Sequence, residues 1–251
     1  MAPSRRTKAE AELRNNVVVV SVTSFIVAPP GARLGGVTAT RPKPTPISGR
    51  FVRLEPLRRD HLPALFAAIG HPVVFAGGFG GGPFGYRETR AGFVEWAETY
   101  FRWDEANPYA VYLVGGPHDG VLVGTSTLAD CDPDREATHI GWTAYDPRVW
   151  GTAVNAEVKL LLLGRAFDHG FGRVKIQTDA INERSRAAIG GIGATFEGIA
   201  RRDRRRADGS WGDSAIFSVI VDDWPRVRNG LEQRLEHCRD RPVLFRTRPT
   251  T

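Results

Sequence analysis

Cysteine is scarce in this sequence of 251 residues, which contains Cys131 and Cys238 and no other. Two thiols in a chain of this length do not form the dense disulfide framework of small secreted domains, and they fit a reducing cytoplasm. The six histidines are scattered, and neither a C-x-x-C nor an H-x-x-x-H spacing occurs. We therefore expect a cytoplasmic protein with no metal site.

A hydrophobic run long enough to cross a membrane is also missing. The apolar stretch from Val17 to Ala28 is only 12 residues long, whereas a membrane-spanning helix needs about 20. Basic residues precede this stretch as in a secretory signal, but Glu10 and Glu12 dilute their charge and no small-residue cleavage site follows. The sequence therefore predicts neither a membrane span nor export.

An excess of basic charge is confined to the first part of the chain. Residues 1–50 contain eight Lys and Arg against two acids, whereas residues 51–251 contain 26 of each. The net charge of +6 thus belongs to a leader and not to the folded body, so we expect no nucleic-acid partner. The segment RPKPTP at 41–46 is typical of an extended linker. We predict a disordered or loosely packed leader at 1–46, a folded domain at 47–236 and a tail at 237–251.

The stretch from Thr138 to Gly198 carries the clearest structural pattern. A strand from His139 to Tyr145 ends at the turn signal Asp146-Pro147, and a second strand is predicted from Arg173 to Ala180. Between the strands an apolar helix face recurs at Val154, Val158, Leu161, Leu162 and Ala166. Strand, tight turn, helix and strand form a βαβ-like crossover, and its turn lies at a helix N-terminus.

That turn, Arg148 to Ala153, suits an anionic ligand. Backbone N–H groups at the start of a helix are unpaired and carry partial positive charge. Gly151 lets the backbone approach a ligand closely, small Ala153 keeps the next turn clear, and Arg148 adds a full positive charge. A pyrophosphate group is the ligand that fits best.

The same residues carry a resemblance to a known family. The pattern R-x-x-G-x-A at 148–153 matches the R/Q-x-x-G-x-G/A pyrophosphate loop of the GNAT acetyltransferases. Asn182, Ser185 and the G-A-T-F-E-G run at 193–198 resemble the RimJ/RimL-like branch of that family, over roughly residues 49–236. The resemblance implies an α/β (α+β) GNAT fold. Its mixed, mostly antiparallel sheet of about six to seven strands is flanked by helices and splayed at the acetyl-CoA site.

The resemblance also implies a set of site residues. Asn182 and Ser185 would contact the pantetheine arm of acetyl-CoA, and backbone N–H groups near Thr143 would polarise the acetyl carbonyl. The remaining residues expected at the cosubstrate are Trp142, Ala144, Arg148, Val149, Trp150, Gly151, Thr152 and Ala153.

Two catalytic groups that many relatives possess are replaced here. His139 occupies the place of a glutamate base, and a histidine can serve as a base or simply occupy a strand face. The place of a tyrosine that protonates the thiolate is held by Ile189, which leaves Ser185 as the nearby hydroxyl. Ser185 is equally a candidate for a helix-start residue that bonds the backbone. We name His139 and Ser185 as candidate catalytic residues.

The function implied is an acetyl-CoA-dependent N-acetyltransferase acting on a primary amine of a protein N-terminus or of a small molecule. The alternative is a GNAT-fold acyl-CoA-binding or regulatory module with little turnover. The expected partners are acetyl-CoA and the amine, with no membrane and no metal, and the protein is expected to be a monomer or a homodimer.

Three other features remain open to two interpretations. The glycine-rich segment at 77–85 contains G-x-G-x-x-G but lacks the acidic residue after the next strand, so we interpret it as a mobile loop near the acceptor and not as a dinucleotide site. The arginines at 201–206 follow a short strand predicted from Ile199 to Arg201. They are either a solvated loop or a binding site for an acidic acceptor or for the 3′-phosphate of the cosubstrate. A predicted helix from Arg87 to Trp103 carries an aromatic stripe, either core or acceptor wall, at Phe93, Trp96, Tyr100 and Trp103.

Overall fold

The computed structural model of the chain describes residues 38–239 and 241–247. These residues form an open sheet with helices on both faces. The strands are β1 (Ile47–Ser48), β2 (Val52–Pro56), β3 (Asn107–Leu113), β4 (Leu122–Asp132), β5 (Ala137–Tyr145), β6 (Arg173–Asp179), β7 (Thr195–Arg205) and β8 (Trp211–Ile220). The helices are α1 (Leu62–Ile69), α2 (Pro72–Ala76), α3 (Arg90–Tyr100), α4 (Ala153–Asp168), α5 (Glu183–Gly190) and α6 (Trp224–Glu236).

The strands pair in the order β1-β2-β3-β4-β5-β6-β8-β7. Every neighbouring pair is antiparallel except β5 and β6, which are parallel and joined by α4. The expected mixed, mostly antiparallel sheet is confirmed. It has eight strands where six to seven were expected, since the two-residue strand β1 pairs with β2 at one edge.

The helix α4 is fixed to the far edge of the sheet through its own carboxylate. Glu157 is 4% exposed, and it accepts hydrogen bonds of 2.7–2.8 Å from the backbone N–H groups of Arg50, Phe51 and Val52. These three donors satisfy a buried charge that would otherwise be costly. The contact anchors the helix that begins at the predicted anion-binding turn.

A β-bulge at Trp142 changes which way strand β5 presents its side chains. The pairing of β5 with β4 shifts between Gly141 and Ala144, and Trp142 has a positive φ of 47°. One extra residue reverses the alternation, so Thr143 faces α4 while Ala144 joins the core on the opposite face. A β-bulge bends the strand that carries it, and the last residue of β5 that pairs with β6 is Ile140, two residues before Trp142.

The parallel pairing of β5 and β6 ends early. Its last partners are Ile140 and Ile176, although β5 continues to Tyr145 and β6 to Asp179. Beyond these partners the two strands diverge. This is the splay that the family resemblance implies, and it is confirmed.

Several local predictions need correction. The sequence predicts a helix from His61 to Ile69 with Asp60 as its N-cap. Instead, Asp60 pairs with Arg58 in a short 3₁₀ turn, and His61 holds the capping position of α1. The helix α3 is shorter than predicted because the Oγ1 atom of Thr89 accepts a hydrogen bond from Gly92 and starts it there. The glycine-rich segment folds into two 3₁₀ turns.

The arginine run at 201–206 is mostly strand and not loop. β7 extends through Arg205, well beyond the predicted short strand, and pairs Arg205 with Trp211 of β8. The guanidinium groups of Arg202 and Arg205 lie over the Trp211 ring. A charged run suggests a loop, but an edge strand tolerates arginines because their long side chains cover an aromatic neighbour.

The ends of the described chain pack against the domain. Ala39 is 2% exposed, and the Nδ2 atom of buried Asn107 donates a hydrogen bond of 2.7 Å to the Pro42 carbonyl. At the other end, Val243 is buried in the core and Phe245 stacks on His118. The predicted leader before residue 38 lies outside the described residues.

Candidate active site

A cavity of about 320 Å³ opens where β5 and β6 diverge. Its walls come from β5, the turn after it, the first two turns of α4, the end of β6, and α5. The predicted site residues that line it are Trp142, Thr143, Ala144, Val149, Trp150, Gly151, Thr152, Asn182 and Ser185. Three predicted residues, His139, Arg148 and Ala153, do not line it.

The turn before α4 presents unpaired backbone donors. Gly151 has φ +72°, a conformation that favours glycine, and the side chain of Thr152 caps the helix by accepting from the N–H of Val154. Among the described residues none accepts a hydrogen bond from the N–H of Gly151 or Ala153. The turn therefore fits a diphosphate, whose oxygens can accept from these groups.

The charge of Arg148 is directed away from the cavity. Its guanidinium donates to the Asp146 carboxylate at 2.6–3.1 Å, and that carboxylate is 1% exposed. The same guanidinium lies 3.9 Å from the ring centre of Phe245. A cation that does line the cavity beside this turn is Arg184, which stacks at 3.6 Å on the ring of Trp150.

Asn182 serves as the cap of α5. Its Oδ1 atom accepts a 3.0 Å hydrogen bond from the N–H of Ser185, and its Nδ2 atom donates to the Gly77 carbonyl. The side chain of Asn182 thus caps α5 and ties the glycine-rich segment to that helix. Asn182, Ser185 and Ile189 all line the cavity.

His139 lies behind the cavity wall in a charged network. Its Nδ1 atom is 3.1 Å from the Asp130 carboxylate, which also binds Arg102 at 2.5 Å. Hydrogen bonding from His139, supported by Arg102, lowers the pKa of Asp130 to about 2. An ionised carboxylate can only accept, so Nδ1 carries the proton and Nε2 is the basic nitrogen.

The Nε2 atom is buried and has no hydrogen-bond partner among the described residues. The ring is 4% exposed and lies 5.7 Å, centre to centre, from the ring of Trp142, which does line the cavity. Desolvation lowers the pKa of His139, against the opposing effect of Asp130. The imidazole is therefore neutral near pH 7 and able to take up a proton.

The wall opposite α4 is aromatic and ionic. Tyr100 lines the cavity with Phe79, accepts from the N–H of Gly80, and stacks on Trp96 at 4.4 Å. Burial raises the pKa of Tyr100 to about 12, so this hydroxyl stays protonated. The aromatic stripe of α3 is thus divided, since Phe93 is in the core and Tyr100 is in the wall.

A buried carboxylate stands beside this wall. Asp179, at the end of β6, lies 2.7 Å from Arg204 and 3.2 Å from Arg206. Sequence reasoning misses this cluster because it joins a strand end to arginines that the sequence pattern places in a solvated loop. Both Asp179 and Arg204 line the cavity.

A second missed residue is Lys159. It is 3% exposed, lines the cavity, and donates a 2.9 Å hydrogen bond to the Oγ1 atom of Thr143. Desolvation lowers its pKa to about 7. The sequence feature that could have identified this residue is the presence of a lysine within the apolar run VKLLLL of the predicted helix.

Within the described residues, no cluster of three or more His, Cys, Asp or Glu is suited to a metal, and both cysteines are free. No helix in that part of the chain has the length and apolar character to span a membrane.

Known proteins share this architecture. Residues 52–195 match the family model described as the acetyltransferase (GNAT) domain. A putative acetyltransferase from T. thermophilus is 31% identical with a TM-score of 0.69, the match covering 78% of this chain and 100% of the other. A GCN5-related N-acetyltransferase from Brucella melitensis is 28% identical with a TM-score of 0.69, covering 78% and 88%.

More distant structures share the fold alone. Mycobacterium smegmatis RimJ, solved in complex with CoA-disulfide, is 18% identical with a TM-score of 0.59, and the match covers 76% of this chain and 93% of that one. No curated protein matches the chain. The matched model spans more than half of the sequence and includes the splayed strands and the turn before α4. The chain therefore belongs to the GNAT acetyltransferase family.

Proposed function

We propose that the protein is an acetyl-CoA-dependent N-acetyltransferase that acetylates a primary amine by direct attack in a ternary complex. The observation that carries this proposal is the cavity between β5 and β6, which begins at a helix-start turn with unpaired N–H groups and ends at the bulge of β5. When bound, acetyl-CoA supplies an activated acetyl thioester. Residues of the chain would bind the cosubstrate and the amine and remove the proton from the amine.

The binding residues follow the cavity from its mouth inward. The N–H groups of Gly151 and Ala153 would hold the diphosphate, with Arg184 as the nearby cation. The free edge of β5 from Gly141 to Ala144 would pair with the pantetheine amides, because this edge has no β6 partner. Asn182 and Ser185 form the facing wall.

The acceptor nitrogen must lose a proton, and we assign that proton to His139. Because His139 lies behind the wall of the cavity, the proton would reach it through a bridging water molecule beside Trp142. Its Nε2 atom is the unprotonated nitrogen of an imidazole held by Asp130. A base with a pKa below about 6.5 is neutral at the working pH and ready to accept. We also propose that the Ser185 hydroxyl, which lines the cavity, contacts the thioester end of acetyl-CoA.

The acceptor is a protein N-terminal amine or a small-molecule amine. The motifs at 182–185 and 193–198 favour the RimJ/RimL-like branch, and Tyr100, Phe79 and Asp179 would form the acceptor side. The aromatic rings of Tyr100 and Phe79 suit an amine, whereas the Asp179 carboxylate is engaged by Arg204 and Arg206. We propose a cytoplasmic location, which the need for acetyl-CoA and the two free thiols support.

A glutamate at Gly151 tests the cosubstrate site. The side chain would add a like charge at the diphosphate position and force a non-glycine residue to φ +72°. We expect acetyl-CoA binding, measured by calorimetry, to be lost in Gly151→Glu. Gly120→Glu is the matched control, because Gly120 has φ +73° with open space around it and lies outside the cavity.

Turnover is tested separately by thiol release with a panel of amines and peptides. Release that depends on both acetyl-CoA and an amine supports the enzyme. Tight acetyl-CoA binding without release from any amine supports the alternative, a GNAT-fold binding module, which the substitution of Ile189 for a tyrosine favours. If Gly151→Glu binds acetyl-CoA as tightly as Gly120→Glu, the cosubstrate binds elsewhere.

A further inference from the structure

Lys159 is a buried cation in the wall of the cavity with no carboxylate beside it. Its Nζ atom contacts the hydroxyls of Thr143 at 2.9 Å and Ser126 at 3.5 Å, and the ion pairs of the described residues do not include it. A buried lysine without an anionic partner is costly, and proteins rarely keep one for packing alone. Methionine or leucine would fill the same space at no such cost.

The position of Lys159 on α4 places it deep in the cavity. Thr152, Asn155 and Lys159 follow each other at helical spacing and all line the cavity. Lys159 is therefore the last of the three from the diphosphate turn. Its partner Thr143 directly follows the bulge at Trp142, where β5 leaves β6. The amine lies at the inner end of the site, where the reacting end of the cosubstrate belongs under the proposed function.

The other proton-bearing groups of the cavity are poorly suited to give up a proton. Burial raises the pKa of Tyr100 to about 12 and raises that of Tyr145 as well. Asp179 is an acceptor for Arg204 and Arg206. The hydroxyl of Ser185 is a far weaker acid than an ammonium group.

We propose that Lys159 is the proton donor to the coenzyme A thiolate that acetyl transfer releases. This inference rests on the proposed function. The C–S bond breaks with its electron pair on sulfur, Nζ gives one proton to that sulfur, and the acceptor nitrogen gives one proton to His139. Lys159 is reprotonated and His139 deprotonated before the next turnover, so protons balance overall.

The electrostatics of the site agree with this role. Desolvation holds the pKa of Lys159 near 7, so both protonation states are accessible at neutral pH. An anion that develops on sulfur supplies the counter-charge that the buried ammonium lacks, and the pair is stabilised in a low-dielectric site. Thr143 and Ser126 orient the amine from behind.

The test uses bound coenzyme A, so it needs no acceptor and no turnover. The thiolate absorbance of bound CoA is titrated in the wild type, in Lys159→Met and in Ser185→Ala, with desulfo-CoA complexes as blanks for Cys131 and Cys238. Affinity for desulfo-CoA, measured by calorimetry, shows that each variant is folded and keeps the site. Lys43→Met is the control for loss of an exposed lysine outside the cavity.

We expect the bound thiol to titrate at lower pH in the wild type than in Lys159→Met by about one pKa unit or more, which is roughly tenfold in thiolate fraction. Lys43→Met should follow the wild type, and Ser185→Ala should move the titration less than Lys159→Met does, because a hydroxyl stabilises a thiolate less than an ammonium group. Equal titration in wild type and Lys159→Met, with CoA bound in both, overturns the role of Lys159 and leaves the proposed function intact. A loss of the shift in Ser185→Ala instead assigns the sulfur contact to Ser185. Absence of CoA binding in the wild type overturns both proposals.

A second measurement needs no variant for its readout. The lysines of the chain are Lys8, Lys43, Lys159 and Lys175, so ¹³Cε-lysine labelling gives few NMR signals. One signal should titrate near neutral pH in the free protein, and CoA should raise its pKa while desulfo-CoA does not. A CoA effect equal to that of desulfo-CoA overturns the contact with sulfur, even if Lys159→Met fails to fold.

Discussion

Phe245 lies beneath the guanidinium of Arg148, with 3.9 Å between the guanidinium carbon and the ring centre. The neighbouring residue Arg246 donates its backbone N–H to the Arg148 carbonyl at 2.9 Å and reaches the Trp150 carbonyl with its side chain. A Cβ atom built on Gly151 would be 2.9 Å from the Arg246 guanidinium. The C-terminal segment thus brings a cation to the turn whose own arginine is engaged by Asp146.

We predict that Arg246→Ala weakens acetyl-CoA binding by about three- to tenfold, a loss of about 1 kcal/mol that is typical of a charge at a helix N-terminus. Because the contact is electrostatic, the loss should shrink at high salt. Calorimetry at two salt concentrations measures both effects. Arg239→Ala removes an exposed arginine paired with Glu236 and is the matched control. Equal affinities for the two variants would mean that Arg246 only covers the turn.

The pH profile of kcat/KM tests the assignment of His139. Burial lowers the pKa of His139, and Asp130 opposes this effect only in part. Activity should therefore rise with pH through a value below 6.5 as the imidazole loses its proton. Asp130→Asn removes the opposing effect of the carboxylate, and we expect the acidic limb to move to still lower pH while kcat falls. Asp132→Asn, which alters an exposed partner of Arg135, should leave the limb in place. His139→Ala should abolish the limb, and an unchanged limb in that variant removes His139 from the mechanism.

Whether a site residue can be predicted from the sequence depends on whether its contacts are made by residues nearby in the chain or far apart in it. The turn at 148–153 and the strands around it are local patterns, and the structure contains them. The sequence pattern does not single out Lys159, because the apolar face that it predicts for α4 is too narrow. The helix packs against the sheet on one side and against α6 on another, so Lys159 and Leu163 are buried beside Val158 and Leu162. A single periodicity cannot report a helix buried on two sides.

Contacts between residues that are far apart in the chain also cannot be predicted from local sequence patterns. Arg204 and Asp179 meet because β7 and β6 both flank β8, which is a property of the sheet order. The contact of Phe245 with Arg148 needs the C-terminal segment to return to a turn in the middle of the chain. Local propensity carries no signal for either contact, and this explains why the sequence predicts a solvated loop at 201–206 and a separate tail at 237–251.

Stability should report the buried charge of Lys159 directly. The pKa of Lys159 is about 7 in the folded protein against an ordinary value of 10.5, so between these values the unfolded chain binds the extra proton. The free energy of unfolding of the wild type therefore rises with pH between these two values, because the penalty for the buried charge is progressively lost. Lys159→Met lacks the effect, and each pH unit is worth about 1.4 kcal/mol.

We accordingly expect Lys159→Met to be more stable than the wild type at pH 7, with a difference that shrinks by about 2 kcal/mol on going to pH 9. Urea unfolding at both pH values measures it, and Lys43→Met should show no such trend. A difference between Lys159→Met and wild type that does not change with pH would mean that the ammonium is solvated in the folded protein.

The start of the folded domain gives the last prediction. The sequence predicts that residues 1–46 form a disordered or loosely packed leader, yet residues 38–46 contact the domain. Ala39 is buried, and the backbone N–H of Thr40 donates to the His169 carbonyl at 2.9 Å. Buried Asn107 has both of its side-chain partners in this segment, donating to the Pro42 carbonyl and accepting from Arg41.

Removal of residues 1–46 would leave the amide of Asn107 without partners, and an unsatisfied buried polar group costs about 1–3 kcal/mol. For a domain of this size that lowers Tm by about 2–4 °C per kcal/mol. We therefore expect a chain lacking residues 1–46 to melt several degrees below the full-length protein. A chain lacking only residues 1–37 keeps the segment and should melt with the full-length protein. Differential scanning calorimetry of the three proteins decides between the boundaries. Equal Tm values for all three proteins place the start of the domain at residue 47. A Tm that is lowered only by the deletion of residues 1–46 places the start before Ala39.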